Sequence, residues 1–146
     1  MIVRQAKSAD LPDLAKMFDE YRQFYRCESD IELASEFLSS RIEKNESVIF
    51  MCFLEDIAVG FTQLYPTFCS VEASRIFVLY DLYVIASYRN AGVGSRLMKT
   101  AKIYADSNGA SRLDLETEIC NEVAQTLYKK LGYERDTEFY KYSLEL

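Results

Sequence analysis

Hydrophobic positions along the chain change period several times, and each change marks an element. The apolar start, Met1 to Gln5, predicts a short first strand. From Leu11 the positions Leu14, Ala15, Phe18 and Tyr21 continue a helical stripe, with Ser8 ahead of it as a predicted N-cap. A second stripe, Ile31, Ala34, Phe37, Leu38 and Ile42, opens on an S-x-x-E sequence, Ser29 to Glu32, that predicts a capping box. Two strand-like runs, Val48 to Leu54 (VIFMCFL) and Ile57 to Tyr65 (IAVGFTQLY), flank Glu55-Asp56 in the pattern of a hairpin. Residues 66–74 read as a loop, and Arg75 to Val84 (RIFVLYDLYV) as a long strand.

A third helix is predicted from Val93 to Ser107, with Val93, Leu97, Ala101 and Tyr104 on one face and Asn108-Gly109 as a left-handed close. Leu113 to Thr117 reads as a strand, Val123 to Leu131 as a helix ended by Gly132, and Phe139 to Leu144 as a last strand. The order is β-α-α-β-β-β-α-β-α-β. Antiparallel hairpin strands come first and a βαβ-like crossover later, which predicts an α/β fold (α+β mixed sheet), mostly antiparallel and flanked by helices. No repeat, low-complexity tract or linker interrupts the 146 residues, so residues 1–146 are expected to form one domain.

Composition narrows the function. A hydrophobic fraction of 49% and a charged fraction of 27% are ordinary for a soluble globular protein. The start of the chain lacks the basic patch and apolar run of a secretory signal, and no apolar stretch approaches the roughly 18 residues of a membrane span. Together these predict a cytoplasmic protein with no membrane partner. Histidine is absent, and Cys27, Cys52, Cys69 and Cys120 form no C-x-x-C pair. That argues against a zinc site and against Ser–His or Cys–His nucleophiles, so no metal is expected.

The net charge of −6 is unevenly spread. Leu82 to Ala105 holds Arg89, Arg96, Lys99 and Lys102 and no acid, so this stretch carries +4 and the remainder −10. An acidic chain is a poor nucleic-acid binder, and no nucleic-acid partner is expected. A local basic stretch within it points instead to a confined anion site.

Arg89-Asn90-Ala91-Gly92-Val93-Gly94 lies inside that stretch, between a strong strand and an amphipathic helix. A helix N-terminus exposes unpaired N–H groups and partial positive charge, which suit phosphate oxygens if the backbone can come close. Gly92 and Gly94 carry no Cβ to hold a pyrophosphate away. The turn fits neither a Walker loop, which needs G-x-x-x-x-G-K-[ST], nor a dinucleotide fingerprint, whose third glycine position is here Leu97.

R-x-x-G-x-G at the start of this helix resembles the acetyl-CoA motif of the GNAT superfamily of N-acetyltransferases. Leu79-Tyr80-Asp81-Leu82-Tyr83-Val84 is similar to the strand before that motif, and Asn121 to Tyr133 (NEVAQTLYKKLGY) resembles the family's N-x-x-A-x-x-L-Y-x-x-L-G-[FY] helix. The similarity runs from about Arg75 to Tyr133. Within the superfamily the Tyr80-Asp81-Leu82-Tyr83-Val84 strand and Phe139-Tyr140-Lys141 look most like the spermidine/spermine and histone/polyamine acetyltransferase branch.

The resemblance implies a single GNAT-like domain, with acetyl-CoA as cosubstrate and a small-molecule or peptide amine as acceptor. It implies that a bulge splays the strand so that backbone groups of Leu82, Tyr83 and Val84 hold the pantetheine arm and acetyl carbonyl. The pyrophosphate would lie on Arg89, Asn90, Ala91, Gly92, Val93, Gly94 and Ser95, and Asn121 near the pantetheine arm, where it also suits a helix N-cap. Tyr128 matches the tyrosine beside the coenzyme A sulfur, where a phenol can protonate the leaving thiolate. Polyamine enzymes of this kind carry a glutamate just before the strand aspartate, a position held here by Tyr80. Asp81, Glu116 and Glu118 stand as candidate bases, with Glu116 and Glu118 on one face by strand alternation; deprotonation through solvent is the further alternative. The polyamine branch also implies a homodimer, with Phe139 to Leu146 as the contact. Two other readings are a non-catalytic acyl-CoA-binding or sensing domain and an interaction module built on the tyrosine-rich surface.

Overall fold

The computed structural model describes residues 1–146, which divide into two compact units, 1–116 and 117–146. In the first, a five-stranded sheet is ordered β1 (Ile2–Gln5), β2 (Val48–Leu54), β3 (Ile57–Cys69), β4 (Ser74–Val84), β5 (Ala110–Leu115). The first three pairings are antiparallel and β4–β5 is parallel, so the sheet is mixed, as the order of elements predicts.

Strand alternation gives the sheet two apolar faces. One packs Ile49, Met51 and Phe61 against Leu14, Ala15, Met17 and Phe18 of α1 (Leu11–Phe24) and Ala34 and Leu38 of α2 (Ile31–Glu43). The other receives α3 (Val93–Ser107), whose Val93, Leu97, Met98, Ala101 and Ala105 are buried. There the Tyr104 ring meets Phe50 and Phe77 edge-on, at 5.4 and 5.7 Å between centroids. α3 closes as expected, with Gly109 at φ +73°.

Several local expectations are corrected. Ser8 does not cap α1: it opens a short 3-10 turn, Ser8–Asp10, and α1 starts at Leu11. The carboxylate of Asp10 is engaged by both terminal nitrogens of Arg4, at 2.7 Å each, and by the Lys7 N–H. Nor do Ser29 and Glu32 form a capping box. Ser29 donates its hydroxyl to buried Asp19, at 2.7 Å, and Asp30 caps α2 by accepting from the Leu33 N–H. Asp19 also accepts from the Asp30 N–H and Gln23, which ties the end of α1 to the start of α2. In α2 only Ala34 and Leu38 of the predicted stripe are fully buried, and Ile31 is 51% exposed.

Residues 66–74 are largely strand rather than loop. A proline normally argues against a strand, but the residues around it keep pairing: Tyr65 faces Val78, Pro66 faces Phe77 and Thr67 faces Ile76. The β3–β4 turn falls farther along, where Ala73 takes φ +48°. β5 begins at Ala110 and ends at Leu115, so Glu116 and Glu118 lie beyond it and strand alternation does not set their faces.

The second unit carries α4 (Glu122–Lys130). Asn121 caps it by accepting from the Ala124 N–H at 3.1 Å. Gly132, at φ +88°, ends it, with the Tyr133 N–H returning to the Tyr128 carbonyl at 3.0 Å. The predicted last strand, Phe139 to Leu144, is absent. Its alternation is real, but a strand also needs a neighbour to take its peptide groups, and no pairing to another strand forms there.

Candidate functional site

β4 outruns its neighbour. Its pairing with β5 runs from Arg75↔Ala110 to Leu79↔Leu115 and stops, leaving Asp81 to Val84 paired only with β3. The β3 register also slips here: Gln63 faces Asp81 while the next residue, Leu64, faces Leu79, so Tyr80 is the extra residue of a β-bulge. Beyond the bulge the Ile85 N–H donates to the Val59 carbonyl at 3.0 Å. Peptide groups alternate along an antiparallel ladder, so those of Tyr83 and Asp81 also face β3. Those of Leu82 and Val84 face the side β5 has left. Of the three residues expected to offer backbone groups at this edge, Leu82 and Val84 face it and Tyr83 faces β3. The Val84 carbonyl accepts from Arg89 Nε at 3.0 Å.

The chain then runs through a 3-10 turn, Ala86–Tyr88, to the glycine turn. Asn90 takes φ +62° and Gly92 φ +82°, and Gly92 is the N-cap of α3. The first helical bond is Arg96 N–H to the Gly92 carbonyl, so the N–H groups of Val93, Gly94 and Ser95 precede the ladder. No side chain caps this end and no acid lies in its first turn, whereas α2 and α4 are capped by Asp30 and Asn121. A Cβ added to Gly92 meets no atom within 4 Å, so the position is open and glycine serves there for its backbone conformation.

Gly60, which the sequence reading did not single out, holds this end of α3 on the sheet. A Cβ there would lie 2.7 Å from the Tyr83 carbonyl oxygen and 3.2 Å from Val93 Cγ1. A lone glycine inside a strand pattern is a recognised sign of close backbone approach, and that signal was available in IAVGFTQLY.

Asp81 is 4% exposed. Gln63 donates to its Oδ2, the Ser47 hydroxyl holds Gln63 Oε1 at 2.7 Å, and the nearby Tyr21 hydroxyl donates to the Tyr80 carbonyl at 3.4 Å. Burial pushes the Asp81 carboxyl above the ordinary range, against the pull of Gln63 and Tyr21. Nearby, burial and then Asp81 push the Tyr65 phenol up to about 12. On this face of the sheet an open groove of about 560 Å³ is lined by Phe37 and Arg41 of α2, Tyr65 and Thr67 of β3, and Val78 and Tyr80 of β4. Gln63, Tyr21 and Arg41 carried no sequence signal, because their roles depend on partners far along the chain.

The first unit thus joins Asp81, the unpaired β4 edge and the Arg89–Ser95 turn. Glu116 is exposed just past β5. Glu118, Asn121 and Tyr128 belong to the second unit. There Glu118 Oε2 accepts from Cys120 Sγ at 3.5 Å, and the Tyr128 ring lies 6.1 Å from that of Tyr133.

A mixed sheet whose fourth strand loses its neighbour beside an uncapped, glycine-started helix is an α/β arrangement that leaves strand peptide groups and helix N–H groups open to a ligand. The chain belongs to the acetyltransferase (GNAT) family, whose profile matches residues 14–133. It is 47% identical, over all of its length and 98% of the relative's, to the Bacillus subtilis (strain 168) protein named uncharacterized N-acetyltransferase YhfO. A Mus musculus thialysine N-epsilon-acetyltransferase is 29% identical, with 93% of this chain and 85% of the relative covered. Among solved structures, a probable acetyltransferase matches with a TM-score of 0.94 and 37% identity over 100% of this chain and 98% of that one. The protein is accordingly an acetyl-CoA-dependent N-acetyltransferase, passing an acetyl group from acetyl-CoA to an amine. A non-catalytic acyl-CoA sensor is not favoured. No helix is long and apolar enough to cross a membrane.

Proposed function

We propose that the acceptor is a small-molecule primary amine and that transfer is direct, with no acyl-enzyme. The observation that carries this reading is the uncapped start of α3 beside the unpaired edge of β4. The N–H groups of Val93, Gly94 and Ser95, with Arg89, Asn90, Ala91 and Gly92 around them, would take the pyrophosphate. Leu82 and Val84 would pair with the amide-bearing arm as a strand would, with Tyr83 between them fixed to β3, and Asn121 beside the arm. Acetyl-CoA supplies an activated thioester carbonyl.

The uncharged amine attacks that carbon, and the C–N bond forms as the C–S bond breaks. Tyr128 donates its phenolic proton to the departing sulfur, a role that rests on its place in the L-Y-x-x-L-G-Y motif. The amine's surplus proton passes through water to a carboxylate, with Asp81, Glu116 and Glu118 as candidates. Asp81 is favoured because burial raises its proton affinity above that of an ordinary carboxylate. The likeness to the polyamine branch and the thialysine enzyme among the relatives both support a small cationic acceptor. A homodimer through the exposed segment Phe139–Leu146 belongs to the same reading, and a monomeric mass by light scattering would count against it. The central test is coenzyme A release on a panel of polyamines, amino acids, aminoglycosides and peptide N-termini. Release with small primary amines supports the proposal; release only with peptides or with none overturns it.

A further inference from the structure

We infer that Arg41 is a specificity residue that holds a carboxylate of the acceptor, so that the preferred acceptor is an amino acid acetylated on an amine remote from its carboxylate. This rests on the proposed acceptor class and narrows it.

Arg41 is the only charged side chain lining the groove beside β4, and the other walls are aromatic or apolar except for Thr67. Its guanidinium carbon lies 4.6 Å from the centroid of Phe37, which fixes the plane of the group. Nη2 reaches the Ser40 hydroxyl at 3.3 Å. Nε is 2.6 Å from Glu46 Oε2, yet this contact falls outside hydrogen-bond geometry, and Nε is buried with no hydrogen-bond acceptor. Nη1 takes no protein acceptor either. A guanidinium stacked on a ring in an open groove, presenting Nη1 beside Nη2, is an arrangement that can receive a carboxylate.

The groove leads toward the free edge of β4. Tyr80, the bulge residue, adjoins buried Asp81 and then Leu82, where the free edge of β4 begins. Tyr65 and Tyr80 meet edge-on at 5.6 Å and wall the passage between the two ends. An acceptor with its carboxylate on Arg41 would run past these rings and carry its amine toward the free edge of β4. The free edge begins at Leu82, two residues beyond the groove's Tyr80, about 7 Å along a strand. An α-amine, one carbon from its carboxylate, does not bridge that span. An amine at the end of a lysine-length chain does, with the arginine's own reach closing the rest. The aromatic walls then contact the intervening methylenes and the ammonium. Glu46 keeps the site from being a general anion trap, since a ligand must offer better bond geometry than Glu46 does.

The test uses the full chain and matched acceptors: lysine against cadaverine, and thialysine against its decarboxylated counterpart. Coenzyme A release is followed at saturating acetyl-CoA for the parent, Arg41→Gln and Arg41→Lys. The parent should prefer each carboxylate-bearing acceptor over its partner in kcat/KM. Arg41→Gln should raise KM for those acceptors about ten- to hundredfold, the range for losing a charge-assisted hydrogen bond, while kcat and the decarboxylated amines are little changed. Arg41→Lys should recover part of the loss. Equal use of matched acceptors by the parent overturns the inference and leaves the amine acetyltransferase reading intact. So does a uniform loss on both members of each pair in the two variants, which would mark Arg41 as merely structural. Coenzyme A release with no small amine at all overturns the proposed acceptor class as well.

Discussion

Replacing Gly60 by alanine tests whether the seating of α3 on the sheet governs both stability and cofactor affinity. The added Cβ would lie 2.7 Å from the Tyr83 carbonyl oxygen, 3.2 Å from Val93 Cγ1 and 3.4 Å from Leu97 Cδ1. The first contact is the severe one, because the oxygen belongs to a peptide facing β3 and cannot rotate aside as a side chain can. β4 or the first turn of α3 must move by several tenths of an ångström. Overpacking of this kind typically costs about 1–3 kcal/mol. Loss of glycine's freedom in the unfolded chain returns about 0.4–1 kcal/mol. The net is a destabilisation on the order of 1–2 kcal/mol, which at a slope of about 2 kcal/mol per molar lowers the urea midpoint by about 0.5–1 M. The chain has no tryptophan, so far-UV circular dichroism is the suitable probe. The strained atoms flank Leu82, Val84 and Val93, so acetyl-CoA affinity should fall in the same variant. A midpoint equal to the parent's, with unchanged affinity by calorimetry, would refute the reasoning.

Gly92→Val should weaken acetyl-CoA binding strongly while costing only about 1–2 kcal/mol of stability. That is the usual penalty for a side chain at positive φ, and the added Cβ has open space around it; unaltered affinity by calorimetry would remove the turn from the cofactor site. Tyr128→Phe should bind acetyl-CoA almost as the parent does but turn over about 10²–10⁴-fold more slowly, and a loss below about threefold at saturating acetyl-CoA would exclude the proton-donor role. Arg4 first, and then the Lys7 N–H, hold the Asp10 carboxyl down at about 2. A lowered carboxyl favours the folded state above its unfolded value and ceases to as pH falls through the folded one, so this contribution should fade between about pH 4 and 2. Asp10→Asn should lose roughly 1 kcal/mol at pH 7, Arg4 being partly exposed, and show a flatter acid limb in urea titrations; identical limbs would sink the assignment.

Features that depend on near neighbours were legible in the chain itself. The Asn90–Gly94 turn, the stripe of α3 and the Gly109 and Gly132 stops use short-range chemistry, in which a residue type answers a local backbone demand. Elements failed where a distant partner decided the outcome. Ser29 had the right spacing for a cap, but Asp19, ten residues earlier, takes its hydroxyl. Pro66 suggested a loop, but the register with β4 runs through it. Phe139 to Leu144 alternates like a strand, yet alternation only prepares a segment for pairing and does not provide a neighbour.

The same distinction separates the two halves of the candidate site. A pyrophosphate is the same group in every acetyl-CoA enzyme, and a short run of backbone amides recognises it, so its signature is compact and sits in consecutive residues. An acceptor is recognised by side chains brought together from distant segments. Arg41 gains a meaning only when α2 lies beside Tyr65 of β3 and Tyr80 of β4. Asp81 is buried and takes its side-chain hydrogen bond from Gln63, a residue of the neighbouring strand. Even the bulge that places Tyr80 beside the groove is a relation between two strands, one residue out of step on β4 against β3. Acceptor choice can therefore change through single substitutions at such positions while the cofactor turn stays fixed, and Arg41, more than any residue of the turn, is where this chain's own preference should be read.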